Sequence, residues 1–139
     1  MRRLPLQAGF TLIEIMVVVF ILGLLVTLVA PRIIGRTDDA RVTKAKADIK
    51  AIEEAANMFK LDNGFYPTTA EGLAALVQAP PRAKKFNPEG YLPNIPHDPW
   101  GNEYIYQSDG RSVVIMSLGR DGVEGGEGYD ADIDSRALD

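Results

Sequence analysis

Six carboxylates crowd one glycine-rich stretch near the end of the chain. Residues 118–134 read LGRDGVEGGEGYDADID, with Asp121, Glu124, Glu127, Asp130, Asp132 and Asp134 as the acids. Oxygen donors without His or Cys among them suit a hard cation, Ca2+ before any transition metal. The glycines permit tight turns and bring backbone carbonyls within reach of the same ion. Asp130, Asp132 and Asp134 imitate the first three ligands of an EF-hand, but Ser135 stands where that loop needs Gly. The competing reading is an acidic tail too polar to fold. A seventh carboxylate stands apart: Glu14 is the only ionisable residue in FTLIEIMVVVFILGLLVTLVA, residues 10–30. An acid inside an apolar helix costs about 3 kcal/mol unless it is protonated, near the interface or paired. Its place near the start of the run points to a partner at the helix beginning, or to snorkelling at an interface.

Much other chemistry is excluded. The 139 residues include no Cys and one His, which removes disulfides, thiol nucleophiles, Cys-ligated zinc and His clusters. His97, beside Asp98 and near Glu103, is the candidate base of a membrane-anchored enzyme, but no G-x-S-x-G, P-loop or H-E-x-x-H accompanies it. No catalytic residue is therefore assigned. The formal charge is −4, and it is uneven: residues 1–36 hold four Arg and one acid, whereas residues 120–139 hold two Arg and seven acids. No basic, aromatic-interleaved face emerges, so nucleic acid is not an expected partner.

The elements that must carry these residues follow from periodicity. As a helix, residues 10–30 would span roughly 31 Å, the thickness of a bilayer core. A secretory signal peptide is the alternative, but the run is long for one and Pro31 follows its only small-residue site. Arg2 and Arg3 on one side balance Arg32 and Arg36 on the other, so the charges do not orient the span. Pro31 and Gly35 invite a kink or local melting. Ala45, Ile49, Ile52, Ala56 and Phe59 then form one apolar helical stripe, with Lys44–Asp48 and Lys50–Glu54 on the solvated side. Asn63 and Gly64 supply a stop. Thr68 and Glu71 fit a capping box for a short helix through about Val77, and residues 80–99 are too Pro-rich for a long regular element. EYIYQ (103–107) and RSVVIMS (111–117) around Asp109-Gly110 read as a β-hairpin, needing a third strand or the long helix for stability. The expected core sets the stripe against Leu73, Leu76, Ile105, Val114 and Met116. The fold class is α+β.

Gly9-Phe10-Thr11-Leu12-Ile13-Glu14 resembles the cleavage and assembly signature of type IV prepilins and type II secretion pseudopilins. Three further motifs, Gly64-Phe65-Tyr66-Pro67-Thr68, Asp98-Pro99-Trp100-Gly101-Asn102 and Ser117-Leu118-Gly119-Arg120-Asp121, resemble the major pseudopilins of type II secretion over nearly the whole chain. That resemblance implies a type IV pilin-like fold and four segments. Residues 1–9 would be a leader cut by prepilin peptidase between Gly9 and Phe10, with Phe10 N-methylated. Residues 10–30 would be the transmembrane and filament-core helix, 31–63 its amphipathic continuation, and 64–139 a periplasmic head. Glu14 would pair with a neighbour's N-terminal amine during assembly. One Ca2+ would be held by Asp121, Asp130 and Asp132 with the carbonyls of Leu118 and Val123, Glu127 being an alternative ligand. The implied partners are further copies of the chain, minor pseudopilins, prepilin peptidase and an inner-membrane secretion platform. A type IV pilin of an adhesive or motility fibre is the other reading.

Overall fold

The computed structural model describes residues 9–138, without the side chains of residues 30–35. The leader expected at residues 1–9 therefore lies, apart from Gly9, outside the described residues. Two compact units divide at Thr37/Asp38.

Among its described residues, the first unit is helical from Leu12 onward. Helix α1 runs Leu12–Asn63 and supplies both units; its backbone stays helical through Pro31 and Gly35, so the expected local melting does not occur. A proline removes one i to i−4 hydrogen bond, and a long helix can tolerate that single loss. Leu12–Val29 is long and apolar enough to cross a membrane, and none of that stretch is buried by the protein itself. Its polar atoms are satisfied within the helix: Thr27 Oγ1 donates to Leu24 O at 2.7 Å, as an apolar solvent requires.

The second unit is a small α+β head. Ala45, Ile49, Ile52, Ala56 and Phe59 of α1 are buried as their spacing predicts. They pack with Leu73, Leu76, Tyr104, Tyr106, Ile115 and Ile133. Strands β1 (Ile105–Ser108), β2 (Val113–Ser117) and β3 (Ile133–Asp134) form one sheet in that order. Both pairings are antiparallel, with Tyr106 opposite Ile115 and Ser117 opposite Ile133. The hairpin turn is fixed by Asp109, whose carboxylate accepts from the backbone N–H groups of Arg111 and Ser112. Gly110 supplies the positive φ of +85° there.

The sheet presents the opposite face from the one expected. Tyr104, Tyr106, Ile115 and Ser117 are buried, while Ile105, Val114 and Met116 are only half-buried. Side chains alternate along a strand, so choosing the apolar set over the tyrosines inverts every position. The tyrosines can face inward because their hydroxyls are satisfied: Tyr104 donates to Asp48 at 2.9 Å and Tyr106 to Pro67 O at 2.9 Å. Burial pushes the Tyr106 phenol up to about 12, and both groups remain donors.

Thr68 and Glu71 do form a box: Glu71 accepts from Thr68 N at 2.8 Å, and Thr68 Oγ1 from Glu71 N at 3.4 Å. Arg82 adds a two-pronged ion pair to the same carboxylate, which with these bonds holds it near a pKa of about 2. The box caps a turn rather than a full helix, since α2 is only Ala74–Val77 and Gly72 has φ +60°. Residues 80–99 cross the end of α1 with no long element. Asn63 holds them there, its Oδ1 accepting from Lys84 N and Lys85 N, while Phe86 and Tyr91 pack edge-on to Phe59.

The inverted strand face has a direct test. Ile115→Ala should destabilise the head by about 3 kcal/mol, and Val114→Ala by less than about 1.5 kcal/mol. Urea unfolding of the two variants compares them, and equal losses would contradict the inward placement of Ile115.

Candidate functional site: the acidic loop and the start of the helix

Residues 118–134 are folded. The loop begins beyond β2 and returns through a 3-10 turn, Gly128–Asp130, into β3. Its entry is set by the Asp98-Pro99-Trp100-Gly101-Asn102 turn, in which buried Asp98 accepts from Trp100 N and Asn102 N. Asp98 also accepts from Ser117 Oγ at 2.8 Å, and Ser117 Oγ accepts in turn from Gly119 N at 3.3 Å. Asp98 is thus a turn anchor and not the partner of a His97 base; His97 is exposed in an isolated bridge to Glu103.

Two glycines make the fold of this loop possible. At Gly126, φ is +88° and a Cβ would lie 2.6 Å from Asp130 O. At Gly119, φ is +71° and a Cβ would lie 2.7 Å from Ala131 O. Any other residue would meet backbone at both places.

The expected ligands do not all share one point. Asp121 Oδ1 accepts from Val123 N at 3.1 Å. Asp130 is held by Arg120 through bonds of 2.8 and 3.1 Å, and these bonds, then its charge, raise the arginine's pKa. Asp132 Oδ2 accepts from Gly125 N at 2.9 Å, while its Oδ1 is buried without a hydrogen-bond partner. Leu118, half-buried, and exposed Val123 and Glu127 lie in the same loop. Among the described residues, no group of three or more His, Cys, Asp or Glu is gathered as a metal site. What fits a hard cation is the all-oxygen chemistry of the loop and the orphaned Asp132 Oδ1.

The loop is also clasped to α1, through partners up to 90 residues away in the chain. Arg120 reaches Asp38 at 3.6 Å as well as Asp130, and Tyr129 donates to Asp39 at 2.9 Å. Asp38 is buried and also bound by Arg41 at 3.2 Å. One arginine thus neutralises two carboxylates where net negative charge is densest.

At the other functional end, Glu14 caps its own helix. Its Oε2 accepts from Thr11 N at 3.4 Å, and Thr11 Oγ1 accepts from Glu14 N at 3.2 Å. This reciprocal box satisfies two end groups and places the carboxylate at the positive helix terminus. Thr11-x-x-Glu14 is the same signal as Thr68-x-x-Glu71, set at the start of an apolar run. Gly9 and Phe10 lie just before the helix and are exposed.

An uncovered apolar span opened by a Thr–Glu box, followed on the same helix by a stripe buried under a three-stranded sheet, is the architecture of a pilin-type subunit. Comparison with known proteins narrows the class. Residues 32–136 match the family model for protein G of the type II secretion system (T2SS), and residues 4–30 match the prokaryotic N-terminal methylation motif. The chain is 55% identical to the type II secretion system core protein G of Pseudomonas aeruginosa over 91% of its length and 93% of that protein. It is 48% identical to the Vibrio cholerae core protein G, over 96% and 94%. Among solved structures it is similar to the major pseudopilin from the type 2 secretion system of enterohaemorrhagic Escherichia coli. The TM-score is 0.65 at 36% identity, covering 76% of this chain and 90% of that one. The chain belongs to the protein G family of type II secretion, and is a pseudopilin rather than a subunit of an adhesive or motility pilus.

Proposed function

We infer that this chain is the structural repeat of a periplasmic pseudopilus and has no catalytic role of its own. The supporting observation is the span Leu12–Val29, apolar and unburied by its own protein. Such a surface needs lipid first and other subunits later. Before assembly the span anchors the chain once in the inner membrane, with the head in the periplasm. Prepilin peptidase cuts between Gly9 and Phe10 and methylates Phe10; the exposed, non-helical backbone at those two residues suits an enzyme's approach.

Cleavage frees an ammonium at Phe10, next to the Thr11–Glu14 box. Inside a bundle of apolar helices a lone carboxylate and a lone ammonium are each expensive, and pairing lowers both penalties. Glu14 of an incoming subunit meets the Phe10 amine of its neighbour and sets the axial register. The assembled homopolymer, with minor pseudopilins and the inner-membrane secretion platform as its partners, pushes folded proteins towards the outer-membrane channel. A head-to-tail contact of this kind does not close, so the fibre elongates.

A Ca2+ ion fits the acidic loop as a fastener in this reading. Asp132 Oδ1 is the carboxylate oxygen left for it, with Asp121 and the Leu118 and Val123 carbonyls as the other donors. Asp130 joins them only by giving up Arg120. When bound, the ion would supply positive charge among the acids and order the loop, with no chemical step of its own. Extracellular-type sites bind at about 10⁻⁴–10⁻³ M. At about ten times Kd the ion adds about 1.4 kcal/mol to stability, which for a head of this size raises Tm by roughly 6 °C.

Two experiments follow. Glu14→Ala should leave leader removal intact, seen as the usual mobility shift, while filament yield falls at least about tenfold; normal filaments would refute the register role. Chelation should lower the Tm of the head from Asp38 onward by those few degrees, with Asp132→Ala giving the low value in either buffer. A melt indifferent to chelator would remove the ion from the account.

A further inference from the structure

Helix α1 carries a second apolar patch, distinct from its span and on the side away from the head core. Met58 is 57% exposed and Leu61 84% exposed, three residues apart and so on one face. Beside them an open groove of about 460 Å³ is lined by Asn57, Lys60, Leu61, Gly64 and Tyr66. Its cation is fixed in place: the Lys60 ammonium lies 4.3 Å from the Tyr66 ring centre and donates to Arg111 O at 3.2 Å. Exposed Arg111, Lys84 and Lys85 stand around this end of the helix, the latter two through their backbone bonds to Asn63. Of the nearby carboxylates, Asp62 accepts from the Tyr91 hydroxyl, Glu71 is paired with Arg82, Asp109 is held in its turn, and exposed Glu54 lies one turn before Met58. The groove lining itself thus holds one cation, Lys60, and no carboxylate.

The opposite end of the head bears the complement. Val123 is 62% exposed at the tip of the acidic loop, between exposed Asp121 and Glu124 and near exposed Glu127. That loop is clasped at Asp38 and Asp39, roughly 35 Å along the helix from Leu61 at 1.5 Å per residue. A single exposed Leu or Val needs no explanation. A paired apolar groove with lysine and apolar tip with acids, at opposite ends of one unit, does.

We propose that this groove receives the Val123 tip of the acidic loop from a second copy of the chain, with Lys60 facing Glu124. The proposal rests on the polymer reading above and names the head surfaces that polymer uses. Groove against groove would oppose Lys60 to Lys60, and loop against loop would oppose acids, so a symmetric dimer is disfavoured. Groove against loop is a heterologous contact between heads displaced along the helix, and it repeats without closing.

The test exploits a chain that has no cysteine. The full chain carrying both Leu61→Cys and Val123→Cys is expressed with its secretion components and oxidised in intact cells. The two sites are too far apart to join within one molecule. A ladder of disulfide-linked dimers, trimers and larger species is expected, and neither single variant should give more than a dimer. Filaments of the double variant seen by electron microscopy without a ladder would overturn the proposal. Absence of filaments from the unaltered chain would instead overturn the polymer reading. If the double variant fails to assemble, charge exchange decides: Lys60→Glu should lower filament yield about fivefold, and adding Glu124→Lys should restore it to within about twofold. No drop, or a drop left unrepaired, would refute the contact.

Discussion

An apolar surface that its own chain does not cover dominates this molecule. Leu12–Val29 exposes about eighteen apolar-rich residues, and at roughly 25 cal/mol per Å² no soluble monomer would leave so much area in water. Everything else reads as accommodation to that fact. The Thr11–Glu14 box and the internal Thr27–Leu24 bond close the polar accounts of the segment, so that it can sit in lipid or among other helices. The head in turn uses only one face of the later part of α1, from Ala45 to Phe59.

The head is small, and it substitutes specific polar fastening for a large core. Tyr104 and Tyr106 bury their rings while anchoring their hydroxyls. Asn63 with the Phe59, Phe86 and Tyr91 cluster holds the Pro-rich segment, and the Arg120 clasp with the Tyr129–Asp39 bond holds the acidic loop. Zero cysteine thus has a structural counterpart: the C-terminal region is tied by ion pairs and turns. Asp132 Oδ1, buried and unpartnered, marks where that tying is incomplete.

Long-period patterns were the legible part. The helix, its apolar stripe, the hairpin with its Asp109-Gly110 turn and the Thr68–Glu71 box all follow from spacing, because local geometry alone decides them. What escaped depended on tertiary partners. The inward face of β1 and β2 hinged on whether Tyr104 and Tyr106 could find acceptors, and those acceptors, Asp48 and Pro67, are distant in sequence. Arg120 read as one basic residue in an acidic run, and only the fold brings Asp38 to it. The family signature at Gly9–Glu14 was visible at once, whereas the capping role of the same glutamate was hidden by its apolar surroundings. For the acidic loop, composition left an ion site and an unfolded acidic tail both open, and the fold engages Asp130 with Arg120.

The central claim is that a processed, apolar N-terminus joins these subunits into a fibre. Intact-mass and N-terminal fragment spectra of the chain purified from membranes test it most directly. The account predicts a product beginning at N-methylated Phe10, with residues 1–9 absent. A chain that retains residues 1–9, or one cut after Ala30 so that the whole span is lost, would contradict it.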